Sequence, residues 1–296
     1  MVGAVRDTVA AWGGQSMVAP LRRVIVNTPV AARDDHAWKA FGYLRPVDLA
    51  KAHREHEAFV ALLAESGCEV IAGGSDDPNL QDAIFPFDPS ILTDAGAVLC
   101  RMGKRLRSPE VVQAEDVYAR LGVPIIGRIE APGTVEGGDC LWLDARTLVV
   151  GHGYRTNAEG IRQLTALLRP SGVTVIAVDL PHWHGPEECL HLLSFISLVD
   201  THLAVVHLPL MPVAFVELLR EHEFTLLEIP EQEYPTQGTN VLATAPRQCI
   251  LLRENVGTAR LLRDAGCTVV LYAGDEISHN RAGGPTCLTR PLLRAE

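Results

Sequence analysis

No two of the seven cysteines, at positions 68, 100, 140, 189, 249, 267 and 287, form a Cys-x-x-Cys pair. Their odd number and irregular spacing argue against a disulfide framework or a structural zinc site. Reduced thiols in a cytoplasmic protein are expected, most of them buried as small apolar side chains. Long apolar runs are missing as well, since no stretch approaches the ~18 uninterrupted residues of a membrane helix. The first twenty residues, MVGAVRDTVAAWGGQSMVAP, lack the basic start and apolar run of a signal peptide. There is no dense Lys/Arg stripe and the formal net charge is −10, so nucleic acid and membrane are not expected partners and a cationic small molecule suits better. What the sequence does have is apolar mass: 47% hydrophobic residues, enough for an ample core.

That apolar content is organised as a repeat. SGCEVIAG (from Ser66), LGVPIIGR (Leu121), SGVTVIAV (Ser171), HEFTLLEI (His222) and AGCTVVLY (Ala265) each read as a helix exit followed by a short β-branched strand. Four of the five carry Gly at the exit, the residue favoured for a left-handed C-cap. Each follows an amphipathic segment whose apolar residues recur at three- and four-residue spacing: AHREHEAFVALLAE, VVQAEDVYARL, AEGIRQLTALLR, VAFVELLRE and VGTARLLRDA. Strand pairs precede most helices, with turns at Asp144–Arg146 and Asp200–Thr201. The period of about 50 residues marks a modular α/β architecture. A closed ring of five units protects sheet edges and converges on a central cavity; the alternative is an ordinary doubly wound sheet.

Four motifs carry candidate chemistry. In EGGDCLWL, Gly137–Gly138 turn the chain tightly beside Glu136, which points either inward or to solvent. In DAIFPFDPSILTD, Asp88 lies in a strongly apolar run, where a carboxylate is paired, functional, or caps a turn. In CLHLLSFISLVD, His191 precedes a strand-like segment and is either a satisfied core residue or a catalyst. His182 and His184, in PHWHG, are spaced like a metal pair but lack a third ligand, so no metal site is expected. The fourth motif is HNRAGGPTCLTRP: Cys287 alone among the cysteines sits on a glycine-rich loop, which can supply backbone amides to a thiolate.

As an ordered set, EGGD followed about 150 residues later by Gly-Gly-x-x-Cys resembles the dimethylarginine dimethylaminohydrolase branch of the guanidine-modifying (amidinotransferase) superfamily. The resemblance runs from RRVIVNTP to GGPTCLTRP. It implies a five-bladed pseudo-symmetric α/β propeller, the pentein fold, as a single catalytic domain over residues 1–296 with residues 1–18 as a loose extension. It also implies roles. Cys287 matches the nucleophile, His191 the general acid/base, and Glu136 the carboxylate beside that histidine. Asp88 matches the residue that holds the guanidinium, and Asp82 the one that receives the substrate α-amino group. Arg155 and Arg107 match arginines that grip the α-carboxylate. The segment WKAFGYLRPVD would be a mobile lid by the same analogy. Two positions depart from the pattern: Leu193 stands where arginine deiminases have Asp, and Phe87 where some dimethylarginine hydrolases have Glu.

The implied partner is a small guanidine, processed without cofactor or metal, with a second copy of the chain, as a homodimer, the one candidate macromolecular partner. Hydrolysis of N-methylated arginine to citrulline through a covalent thiouronium is the expected reaction, because Leu193 leaves one guanidinium nitrogen poorly paired and favours a methylated one. Alternatives are release of ammonia from arginine, amidino transfer, a non-catalytic ligand-binding protein of the same fold, and a structural protein whose cysteines are all core residues.

Overall fold

A computed structural model describes residues 11–34, 36–74, 77–186, 188 and 190–295. Its fifteen strands form five three-stranded sheets, and four of them follow one plan. β3 (Ser90–Thr93), β6 (Cys140–Asp144), β9 (Ile196–Asp200) and β12 (Leu242–Ala245) each open a hairpin with the next strand: β4 (Gly96–Leu99), β7 (Thr147–His152), β10 (Leu203–Val206) and β13 (Gln248–Leu252). A helix then returns the chain to a third, parallel strand: β5 (Ile125–Arg128), β8 (Thr174–Asp179), β11 (Thr225–Glu228) or β14 (Thr268–Tyr272). In the remaining sheet, β1 (Leu21–Val26) pairs parallel with β2 (Glu69–Ala72), and its hairpin partner is the C-terminal β15 (Arg290–Arg294). The two ends of the chain thus close the fifth unit.

The ring is held by apolar packing between neighbours. Among the described residues five apolar clusters bridge successive units, for example Leu141 and Val149 against Phe195 and Ala204, and Val24 and Phe59 against Leu242 and Ile250. The hairpin strands β3, β4 and β10 are buried at every residue, whereas β2, β5 and β11 are half-exposed. Hairpins therefore face the axis and the post-helix strands form the rim.

The helices are α1 (Ala37–Phe41), α2 (Leu49–Glu65), α3 (Ser108–Leu121), α4 (Ala158–Leu168), α5 (Val213–Glu221) and α6 (Val256–Asp264). Asp48 caps α2 by accepting from the Lys51 amide at 3.0 Å, and Asn157 caps α4 through the Gly160 amide at 2.8 Å. The chain leaves five of the six helices through left-handed glycines, Gly42, Gly67, Gly122, Gly172 and Gly266; after α5 Glu223 adopts the same conformation, with φ 58°. No helix among the described residues is long and apolar enough to cross a membrane.

The expectation of a loose extension over residues 1–18 is corrected for its second half. The Gly13 amide donates to Leu292 O at 2.9 Å, the Arg294 amide donates to Gly13 O at 3.0 Å, and Val18 is buried. This strip covers the edge of β15 that would otherwise be left unpaired. Residues 1–10 lie outside the described part.

Candidate active site

Asp88, His191, Leu193 and Cys287 line one cavity of about 260 Å³. Cys287 lies on the turn that follows one turn of π-helix, Asp275–His279, and precedes β15. Close approach explains the glycines before it: a Cβ on Gly284 would stand 2.4 Å from Asn240 Cγ. Asn240 fills that space, accepting from the Thr286 amide at 3.0 Å and donating from Nδ2 to Cys287 Sγ at 3.2 Å. Of the six described cysteines Cys287 alone is partly exposed, while the other five are buried and burial pushes the Cys68 thiol up to about 12. Cys189 lies outside the described residues.

His191 starts a short 3₁₀ turn, and its amide donates to Ser194 Oγ at 2.9 Å. Its Nε2 lies 2.7 Å from Glu136 Oε2; an ionised carboxylate only accepts, so Nε2 carries the proton of that bond. The ring packs against the EGGD turn, where a Cβ on Gly138 would be 2.4 Å from His191 Nδ1 and 2.8 Å from Asp88 Oδ1. The same turn serves three purposes: the Gly138 amide donates to Asp88 Oδ1 at 2.8 Å, Asp139 Oδ1 accepts from the Leu192 amide at 3.0 Å, and Glu136 backs the histidine. Glu136 is fully buried. Burial alone would raise its carboxyl, but the hydrogen bond from His191 and the charge of Arg155 outweigh that and hold it well below the usual carboxylate range. Burial dominates at Asp139 and lifts it to about 6.

Three residues sit differently from what the resemblance implied. Arg155 is not among the residues lining the cavity; its Nη1 donates to Glu136 Oε2 at 2.8 Å, behind the histidine. Arg107 lines the cavity but is committed to protein acceptors: Glu110 through Nε and Nη2 (3.0 and 2.7 Å), Phe85 O at 2.9 Å, and Asp88 through Nη1. Asp82 also lines the cavity, with Oδ1 accepting from Arg281 Nε at 3.1 Å and Oδ2 from Lys104 Nζ at 2.9 Å. Burial would raise the Asp82 carboxyl, but Arg281, Lys104 and Arg107 hold it below its ordinary value. The segment read as a lid is tied down, because the Tyr43 hydroxyl donates to Gln81 O at 2.9 Å and the Leu44 amide to Asn280 O at 2.9 Å.

Asn240, Lys104, Glu110 and Arg281 escaped the sequence reading. Asn240, Lys104 and Arg281 become significant only through partners far along the chain, and Glu110 only because Arg107, three residues before it, lines the cavity; none sits in a spacing that signals chemistry. Strain does mark the site: Trp183, Gln237 and Ala282 line the cavity with φ of 44°, 65° and 59°. Asp88, Glu136 and His191 place donor atoms within 4.8 Å of one another, close enough to hold a metal ion, but Arg107 and Arg155 already ion-pair the two carboxylates. A dication would have to compete with both guanidiniums, so this set fits a metal poorly.

Comparison with known proteins adds to this geometry. Residues 77–216 and 207–294 match the model of the arginine deiminase family. The chain is 30% identical over 245 residues to the N(G),N(G)-dimethylarginine dimethylaminohydrolase of Streptomyces coelicolor, covering 82% of this chain and 86% of the relative. It is likewise 30% identical over 213 residues to the enzyme of that name from Pseudomonas aeruginosa, covering 72% and 78%. An arginine deiminase of Listeria welshimeri is 27% identical over 260 residues, covering 74% and 63%. The fold superimposes on the Pseudomonas aeruginosa dimethylarginine enzyme solved with citrulline, with a TM-score of 0.74 and 25% identity over 91% of this chain and 98% of that one. A saxitoxin-pathway amidinotransferase from Microseira wollei shares the fold at a TM-score of 0.79 and 15% identity, covering 97% and 98%.

Proposed function

The chain belongs to the dimethylarginine dimethylaminohydrolase family of the guanidine-modifying superfamily, whose members act on guanidino C–N bonds, and on that premise we propose that it hydrolyses N-methylated arginine to citrulline and a methylamine with Cys287 as nucleophile. The observation that carries this reading is the meeting of Cys287, His191 and Asp88 on one cavity, with Glu136 hydrogen-bonded behind the histidine at 2.7 Å.

A guanidinium carbon is a weak electrophile because its charge is spread over three nitrogens. Asp88 is placed to hold the group with charge-assisted hydrogen bonds. The bound cation, together with the Asn240 amide, favours the thiolate of Cys287. Sulfur attacks the carbon to give a neutral tetrahedral adduct. Protonated His191 then gives its proton to the methylated nitrogen as the C–N bond breaks, leaving a thiouronium and a neutral amine. Neutral His191 next takes a proton from water while the hydroxide adds to the carbon. Collapse breaks the C–S bond and regenerates the thiolate, and the hydroxyl proton ends on the released amine. Glu136, kept ionised by His191 and Arg155, steadies the imidazolium in both steps.

Two side chains support a methylated headgroup. Leu193 and Phe87 are buried apolar residues on the cavity wall. An unmethylated nitrogen facing them leaves a buried N–H unpaired, at a cost of ~1–3 kcal/mol, whereas a methyl group packs. The test is a product assay with arginine, monomethylarginine and asymmetric dimethylarginine, with mass spectrometry for a trapped adduct. The methylated substrates should be turned over in preference, and Cys287→Ser should lose at least ~10⁴-fold in rate while still binding them. Equal turnover of arginine would refute the methyl preference. Undiminished turnover by Cys287→Ser would refute the mechanism.

A further inference from the structure

We propose that a second, smaller cavity on the axis of the ring is a binding site for one small inorganic anion of about the size of chloride. It adjoins the active-site cavity, with which it shares Phe87, Leu193 and Thr286. All five units line it through a hairpin strand: Leu92 of β3, Trp142 of β6, Ser197 of β9, Ala243 of β12 and Arg294 of β15. Gly14, Ser16 and Met17, from the strip along β15, line it too. The site is independent of the guanidine chemistry.

The charge around this cavity is of one sign. Arg290 and Arg294 both line it, and no Asp, Glu, Lys or His does among the described residues. The two arginines are 9% and 4% exposed. Their hydrogen bonds go to neutral carbonyls. Arg290 Nη1 donates to Phe87 O at 2.9 Å and Ser90 O at 2.8 Å, and Arg294 donates to Ala19 O at 2.6 Å and Ala243 O at 2.9 Å. The Nε of each is buried and meets no acceptor among the described residues. Nearby thiols supply no negative charge, because burial pushes Cys68 up to about 12 and Cys140 well above its ordinary value. Asp88, whose field reaches Arg290, is already ion-paired with Arg107.

A buried guanidinium without a counter-charge is costly, and two of them repel each other. Burial, and after it the field of Arg290, pulls Arg294 down to about 9. A water molecule can accept from an Nε–H but cancels no charge; an anion does both. Size narrows the choice. The cavity holds about 30 Å³, above the ~10–15 Å³ that one water needs, so it admits a single small ion and excludes a phosphate ester or an amino acid. The ion also bears on the active site. Arg290 grips the carbonyls on either side of Asp88–Pro89, and its guanidinium lies 4.0 Å from the centre of the Phe87 ring. Whatever neutralises Arg290 therefore steadies the segment that presents Asp88.

The test compares sodium chloride with sodium gluconate at equal ionic strength, in thermal melts of the whole chain. Gluconate is too large for the cavity and serves as the reference anion. Chloride should raise Tm by about 5 °C, with a dependence that saturates as for one site. Arg294→Gln should abolish the difference between the two salts. Bromide-soaked crystals of the wild type give a second reading that needs no variant to fold: anomalous density for one ion is expected beside Arg290 and Arg294. Equal melting of the wild type in the two salts overturns the proposal. So does a chloride effect that Arg294→Gln retains in full, and so does bromide density found only outside this cavity.

Discussion

Glu136 and Asp82 are both fully buried carboxylates, each flanked by two basic side chains that hold it ionised against the pull of burial. Their partners differ in kind. Glu136 faces an imidazole and a guanidinium, His191 at 2.7 Å and Arg155 at 2.8 Å. Asp82 faces an ammonium and a guanidinium, Lys104 at 2.9 Å and Arg281 at 3.1 Å. Imidazole is the one side chain of the four whose ordinary pKa lies near neutrality, so only the Glu136 pair can pass a proton at working pH. The pair at Asp82 is fixed charge. The same device, a buried acid stabilised by two bases, is proton-transfer machinery behind His191 and a fixed-charge cluster at Asp82.

Removing each acid should expose that difference. Glu136→Gln should lower kcat by about 10²–10³-fold, because the imidazolium loses its counter-charge. Asp82→Asn should change kcat by less than about tenfold and move KM instead, since Asp82 lines the cavity but exchanges no proton with His191. Steady-state kinetics on both variants decides, and an equal fall in kcat would dissolve the contrast. The Glu136 variant should also flatten the acid limb of thermal stability. Its carboxyl is depressed in the folded protein, so its contribution is present above the ordinary glutamate value of about 4.3 and is lost as pH falls below it.

Gly138→Ala tests the contact between the turn and the catalytic pair. A Cβ there would meet His191 Nδ1 at 2.4 Å and Asp88 Oδ1 at 2.8 Å, so both must shift. We expect about a 10²-fold loss of kcat/KM from an ångström-scale misplacement, in a protein that still melts cooperatively. Unchanged kinetics would mean that the imidazole is not placed by this turn. The smallest effect is expected at the cavity wall. Leu193→Asp should supply an acceptor to an unmethylated nitrogen and shift the ratio of arginine to methylarginine turnover about tenfold toward arginine. A ratio that stays put would remove Leu193 from the account of specificity.

Elements and order were legible because they depend on local physics. The helices, the hairpin turns at Asp144–Arg146 and Asp200–Thr201, and the left-handed exits follow from periodicity and glycine. Even the exit without glycine was legible, because the flanking pattern outweighs the strain at Glu223. Cys287, His191, Glu136 and Asp88 could be picked out because each stands beside glycine, proline or an apolar run that needs a reason. Arg155 and Arg107 could not be assigned in the same way. An arginine in a motif shows that a charge is present, and which carboxylate it meets depends on where another unit of the ring lies.

The sequence by itself determined a five-fold α/β repeat with one thiol on a glycine-rich loop, since both rest on spacing and backbone freedom within a few residues. Tertiary structure alone decided that β15 closes the ring on β1, that Asn240 lies against the sulfur, and that Lys104 and Arg281 pair with Asp82. Those contacts join residues from 22 positions apart, as in Asp82 with Lys104, to 273 apart, as in Leu21 with Arg294. Burial decides which charges face one another across such distances, and burial is a property of the closed ring rather than of any one segment.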